Sequence, residues 1–282
     1  MEKEMENIGG QAVIEGVMFK SKNKVSIAVR KPNGEIKVKK ERFKSLTRKF
    51  PLSLPFVRGI IILIETLILG IKALNYSTNE NLGKEEQLGT FAMIITFVIS
   101  IGLAIFLFKF MPLLGAQLLP IDNTYLFNLA EGVIKLTILV GYIWLISLMP
   151  DVRTLYQYHG AEHKVINAYE RDDLANVKKY SRLHPRCGTS FIIFVVFLSI
   201  LVYILIPMDY SFWIKLGLRL LLLPFIAGIA YELIKLSGKY RKSKFLQALI
   251  SPGLLLQRLT TKEPTRDQIE VALRGLREIK HN

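Results

Sequence analysis

One cysteine, Cys187, and four histidines are all that this 282-residue chain offers in thiol or imidazole side chains. A lone thiol excludes an intramolecular disulfide, so the cysteine count does not point to an oxidising compartment. No internal repeat and no low-complexity tract interrupts the chain. Met1 to Gly10 is acidic and polar and lacks an apolar core, which argues against a cleavable signal peptide and leaves insertion to later apolar segments. Acidic residues are also scarce: 23 Asp and Glu face 38 Lys and Arg, a formal charge of +15. Yet 51% of the residues are hydrophobic and the mean hydropathy is +0.32. An apolar body with basic edges fits a bilayer protein with charged loops. Nucleic-acid binding is the other reading of such a charge. Here the charge flanks apolar runs and no known binding motif accompanies it, so no specific nucleic acid is expected as a partner.

The first fifty residues read as a small β-rich piece. Val25 to Arg30 and Glu35 to Lys39 alternate with a period of two, and Lys31-Pro32-Asn33-Gly34 between them has hairpin-turn chemistry. Upstream, glycines bracket a short apolar strand in Gly9-Gly10-Gln11-Ala12-Val13-Ile14-Glu15-Gly16-Val17-Met18, as where a backbone runs in close quarters. Five apolar stretches follow, at 52–74, 91–114, 125–149, 191–207 and 212–236, each near the roughly 20 residues that a membrane-crossing helix needs.

Charge decides how many should cross. With five spans and an internal N-terminus, the segment 150–189, with seven Lys and Arg, and the tail 235–282, with eleven, would both lie outside. That violates the positive-inside tendency twice. If 52–74 instead lies in the interface or re-enters, every basic segment falls inside, and the outside keeps only 115–123 and 208–211, which contain no Lys or Arg. The expected fold is therefore mainly α: a polytopic helix bundle of about four spans plus one re-entrant or interfacial helix, with a β-rich cytoplasmic region at 1–50. The bundle occupies 51–236, including a cytoplasmic His/Cys loop at 150–189, and a basic cytoplasmic tail occupies 237–282. Lys239 to Lys244 is a basic juxtamembrane cluster suited to headgroup contact. Phe245 to Leu259 reads as an interfacial amphipathic stretch broken at Pro252-Gly253, and Thr265 to Ile279 as a short amphipathic helix.

The chemistry concentrates at 158–190. His159-Gly160-Ala161-Glu162-His163 has the order His-x-x-Glu-His, the inverted zincin pattern. On a helix, positions i and i+4 share a face, so His159 and His163 can hold one cation together. Glu162 can take a proton from a water that such a cation activates. A second cluster, His184-Pro185-Arg186-Cys187-Gly188-Thr189-Ser190, adds a histidine and the only thiol. A reduced Cys187 supplies a soft thiolate ligand, and His184 can replace it or close the site as a fourth ligand. A closed site is structural and an open one catalytic. Bland readings compete: hydrogen-bonded helix histidines, a buried small Cys187, an ion-paired Glu162, a solvated Glu170, or a nucleophilic Cys–His pair. Within the apolar stretches, Glu131 and Lys135 stand at i,i+4 and should satisfy each other, with a transport path as the sharper reading. Arg219 and Glu232 are too far apart on their helix to pair.

These motifs, with Pro252-Gly253 and Leu259-Thr260-Thr261-Lys262-Glu263-Pro264, resemble the YqhQ-like family of bacterial membrane proteins over nearly the whole chain. The resemblance implies a domain of unknown function described as a predicted metal-dependent enzyme, and it draws Gln11 and Glu15 into the site as substrate contacts or an additional ligand. The expectation is thus a metal-dependent membrane hydrolase. His159, His163 and either Cys187 or His184 would be ligands to a divalent metal, zinc first, with Glu162 as general base. Its partners would be the lipid bilayer, a cytoplasmic or membrane substrate and a second copy in a homo-oligomer. It would be a multi-pass protein of the inner membrane with both termini in the cytoplasm. The alternatives are a non-enzymatic membrane scaffold or assembly factor with a structural metal site, and a small transporter.

Overall fold

The structure, a computed structural model, describes residues 7–82, 90–239 and 243–280. Four strands open the chain: β1 (Gly9–Val13), β2 (Gly16–Lys20), β3 (Lys24–Arg30) and β4 (Ile36–Arg42). Ten α-helices follow among the described residues: α1 (Val57–Asn81), α2 (Thr90–Ile105), α3 (Met111–Gln117), α4 (Thr124–Ile146), α5 (Pro150–Tyr169), α6 (Gly188–Tyr203), α7 (Phe212–Leu221), α8 (Leu223–Lys239), α9 (Lys244–Thr260) and α10 (Arg266–Lys280). A π-helical turn, Phe106–Phe110, joins α2 to α3. The chain divides into two compact units. The first comprises Met1–Gln87, Ile146–His184 and Gln257–Asn282; the second comprises Leu88–Leu145 and Pro185–Leu256.

In the first unit the strands form an antiparallel meander, β1-β2-β3-β4. The hairpin expected at Lys31 to Gly34 is present, with Gly34 at a φ of 86° and its N–H donating to Lys31 O at 2.9 Å. The glycine-bracketed stretch is two strands rather than one, because the chain reverses at Ile14-Glu15 with Glu15 at a φ of 49°. Gly16 is required where β2 meets β3, since a Cβ there would lie 2.2 Å from Ala28 O.

The sheet is covered on both faces. Val17, Phe19 and Ala28 point to one side, against α5 and α10. Val13, Met18, Ile27 and Val29 point to the other, against Leu69 and Ala73 of α1. Strands buried on both faces read as nearly continuous apolar runs, which is the character of Gly16 to Phe19 and Val25 to Val29. Alpha-10 comes close enough at Gly275 for Ser26 Oγ to donate to its carbonyl at 2.7 Å. On α1, Gly59, Glu65, Leu69, Gly70, Ala73 and Ser77 face inward, while Ile64, Leu67 and Ile68 are about half exposed. The buried Glu65 carboxylate accepts from Ser45 Oγ (2.8 Å) and Leu46 N (2.6 Å).

The second unit is a helix bundle. Ile94–Gln117 and Thr124–Ile146 are long and apolar enough to cross a membrane, and α7 with α8 makes a third such helix if the pair, bent by 40°, is one span. Alpha-6 is apolar but shorter. The outward surface of α2 carries exposed Ile94, Val98, Ile99 and Leu103; so much exposed apolar surface on one helix marks contact with lipid or another apolar partner. Alpha-9 is continuous through Pro252, contrary to the expected break. Proline removes the N–H that would have reached the carbonyl four residues back. Here Ser251 Oγ donates to that carbonyl, Ala248 O, at 2.8 Å. Gly253 then lets α9 approach α6, since a Cβ there would lie 2.7 Å from Ser190 Cα. Of the basic cluster expected at 239–244, residues 240–242 lie outside the described residues, as does the acidic start of the chain at 1–6.

Candidate functional site

Alpha-5 begins at Pro150, whose missing N–H costs nothing at a helix start, and carries Asp151 in its first turn. It is a mostly buried helix, not a loop: nearly every residue from Tyr156 to Tyr169 is shielded. His159, Glu162 and His163 sit on it as the i, i+3, i+4 spacing requires, with the two imidazole centroids 4.4 Å apart. His184 joins them from the segment after the short 3-10 helix Leu174–Lys179, its ring 5.8 Å from that of His163. Three of the chain's four histidines therefore meet in the first unit.

Each ring is oriented by backbone. His159 Nδ1 lies 2.8 Å from Thr260 O and His163 Nδ1 lies 2.6 Å from Arg182 O. A carbonyl only accepts, so both rings donate through Nδ1, and in a neutral imidazole so held the lone pair lies on Nε2. This is the tautomer of a metal-ligating histidine held by an outer-shell carbonyl. The segment carrying Thr260 can lie on α5 because residue 160 is glycine: a Cβ there would stand 2.1 Å from Lys262 O. Lys262 N also donates to Tyr156 O at 2.8 Å.

The fully buried Gln257 fixes His184 from both sides. Its Oε1 accepts from His184 N and its Nε2 donates to His184 O, each at 2.8 Å. Asn167 Nδ2 donates to Ser181 O (2.8 Å) and Leu183 O (3.1 Å), and Arg182 bonds Thr261 through its guanidinium. His184 Nε2 faces Glu170 Oε2 at 3.5 Å. Glu170 is thus drawn to the cluster rather than solvated.

Glu162 is 4% exposed and lies against β1 at Gly10, where a Cβ would stand 2.6 Å from both its Cγ and Oε1. Burial pushes its pKa up to about 7, and nearby His159 pulls in the opposite direction. A carboxyl poised there suits proton transfer near neutral pH. Alternation places the next residue, Gln11, on the opposite face of β1, against Gly70 of α1. Glu15 accepts from Tyr158 OH at 3.1 Å, and burial together with this carboxylate raises the Tyr158 pKa. Cys187 belongs to the second unit. It is buried at the N-cap of α6, its Sγ 3.1 Å from Thr189 Oγ1.

Sequence reasoning missed Gln257, Asn167 and the carbonyls of Thr260 and Arg182. The Thr260-Thr261 stretch entered only through the family resemblance. An open cleft of about 540 Å³ in the first unit lies between β3 and α10 beside Arg30, Arg266, Arg274 and Arg277. It shares no residue with the histidine cluster.

Comparison with known proteins bears on this constellation. A family described as "Protein of unknown function (DUF1385)" matches residues 54–282, which include the three histidines, Glu162, Glu170, Cys187 and Gln257. The chain belongs to this family. It is 38% identical to the "Uncharacterized protein YqhQ" of Bacillus subtilis (strain 168) over 296 residues, covering 96% of the chain and 91% of that relative. No solved structure matches it. The family match begins at residue 54, so it leaves out the sheet, with Gly10 and Gln11 on β1 and Glu15 in the turn after it, whereas the alignment to the relative covers nearly the whole chain.

Proposed function

We propose that this DUF1385 member is a metal-dependent hydrolase acting at the cytoplasmic face of a membrane. The reading rests on one observation above the others: two facing histidines, one helical turn apart, whose Nδ1 atoms are both committed to backbone carbonyls. His159 and His163 would bind through Nε2, and His184 would complete the set. A divalent ion, zinc first, would supply Lewis acidity and lower the pKa of a water. Glu162 would accept the proton, its affinity tuned by burial against Gly10. Glu170 would hold His184 in place through Nε2, or yield that nitrogen to the metal.

The membrane arrangement belongs to the same reading: four spans, with α1 lying in the interface through Ile64, Leu67 and Ile68, and both termini in the cytoplasm. Support comes from the lysine and arginine distribution and from the apolar outer faces of α1 and α2.

Metal analysis of detergent-purified protein tests the site. Zinc near one equivalent in the wild type, lost from the His159→Ala/His163→Ala variant, is the expected result. Equal and negligible zinc, manganese and iron in both would sink the proposal. Glu162→Gln separates enzyme from scaffold. With an ester, peptide and phosphoester panel, turnover should drop roughly 10²-fold or more while metal content and melting temperature hold. A scaffold would show no turnover in either form.

A further inference from the structure

The second unit buries more positive charge than it balances. Lys109, on the π-helical turn, Lys135 on α4 and Arg219 on α7 are all at least 93% shielded, as is Glu131 on α4. A fourth buried cation, Lys215 of α7, donates to Met208 O at 3.3 Å. The other three gather at one carboxylate, and both of its oxygens are engaged. Arg219 Nη2 and Nε reach Glu131 Oε2 at 2.6 and 2.9 Å, and Lys135 Nζ reaches Oε1 at 3.3 Å. Asn128 Oδ1 accepts from Arg219 at 3.3 Å and Ser199 Oγ accepts from Lys135 at 3.3 Å. Both partners are neutral.

Lys109 is left without an acid. Its ammonium donates to Tyr203 OH at 2.8 Å, and that hydroxyl is itself spent on Arg219 O at 3.2 Å. The remaining two N–H groups of Lys109 have no acceptor among the described residues. All three cations also crowd one ring: Lys109, Lys135 and Arg219 stand 5.4, 5.1 and 4.9 Å from the Tyr203 centroid. An uncompensated charge in an apolar bundle is costly and persists only with a partner or a task. The helix geometry is independent of this charge count and points the same way. A π turn inside an otherwise apolar helix is a costly insertion that recurs at functional sites, and here Phe106–Phe110 is the turn that carries Lys109 into the bundle.

We propose that Lys109, Lys135 and Tyr203 form an intramembrane site for an oxyanion, a phosphate or carboxylate group, whose negative charge completes the cluster that Glu131 satisfies only in part. Lys109 donates its two remaining N–H groups to the anion, and Lys135 contributes charge from the facing helix. Arg219 stays locked to Glu131. The group can arrive on a lipid headgroup or as a small solute.

Thermal unfolding of the purified full chain distinguishes the sources. One arm titrates inorganic phosphate and acetate against chloride at fixed ionic strength in a neutral detergent. The other compares nanodiscs of phosphatidylglycerol with nanodiscs of phosphatidylcholine. A saturable rise in Tm with phosphate or acetate means a solute site, and a rise with phosphatidylglycerol alone means a headgroup site. In either case Lys109→Met should raise the half-saturating concentration on the order of tenfold or more, Lys109→Arg should retain binding, and the surface variant Lys22→Met should match the wild type. Should Lys109→Met not fold, Tyr203→Phe, which removes the hydroxyl positioning the ammonium, should weaken binding in the same direction. No anion-dependent shift in any arm overturns the proposal. So does a shift that is undiminished in Lys109→Met or, where that variant does not fold, in Tyr203→Phe.

Discussion

At Glu162 two local facts meet: a carboxyl shielded from water, and a glycine that makes room for it. Desolvation dominates, so the folded protein holds the Glu162 proton more tightly than the unfolded chain does, with a pKa near 7 against 4.5. In metal-free protein the sign follows directly. Between those values the native state binds more protons than the unfolded state, so this group's stability contribution falls as pH rises from about 4.5 to about 7 and is level outside that window. The full shift corresponds to roughly 3 kcal/mol. Glu162→Gln, which cannot ionise, should flatten the curve of Tm against pH in chelator-treated protein; a variant curve parallel to the wild type would refute the burial argument. The i, i+3, i+4 spacing at 159–163 was readable because helical periodicity is local. The carbonyls that set the tautomers were not, since Thr260 is 101 residues from His159 and nothing in a threonine signals which nitrogen its carbonyl will meet.

Among the elements, α5 is the one on which the site is built, and its partners decide what it can do. The irregular passage 261–264, which follows α9, lies across it at Gly160. Gly160→Ala would place a methyl 2.1 Å from Lys262 O, a contact that backbone alone must relieve. Lifting that passage removes the Thr260 carbonyl from His159 and the Thr261 contacts from Arg182. The expected cost is about 2 kcal/mol or more, read as a lower Tm together with faster protease cleavage near residue 262. An unchanged cleavage pattern would show that the passage docks independently of Gly160. The elements also show where sequence rules need a neighbour's help. The hairpin at 31–35 followed its turn chemistry, because a glycine at positive φ acts within four residues. The helix through Pro252 did not follow its rule, because a hydroxyl one residue earlier repaired the lost hydrogen bond.

For the whole molecule, the segments expected as separate N-terminal, loop and tail regions contribute together to one unit: 1–87, 146–184 and 257–282. Two helices, or three with the bent pair, are apolar enough to span a membrane. The finer arrangement proposed above makes its own prediction. Single cysteines placed in 115–123 and in 208–211, in a Cys187→Ser background, should react with an impermeant maleimide on intact cells. Cysteines in 171–183 and 262–266 should react only after permeabilisation. Labelling of the 171–183 set on intact cells would invert the topology and with it the cytoplasmic placement of the histidines.

The sequence by itself determined the apolar and basic segments, the hairpin, the helical placement of His159, Glu162 and His163, and membership of a family, because each depends on composition or on spacing within a few residues. Tertiary structure alone decided that the sheet is buried on both faces, that Gln257 clamps His184, that Glu170 turns to that imidazole, and that Lys109 sits in the bundle without an acid. Burial and hydrogen-bond partners between distant residues are set by how remote segments pack within each unit, and that information is carried by no single stretch of chain.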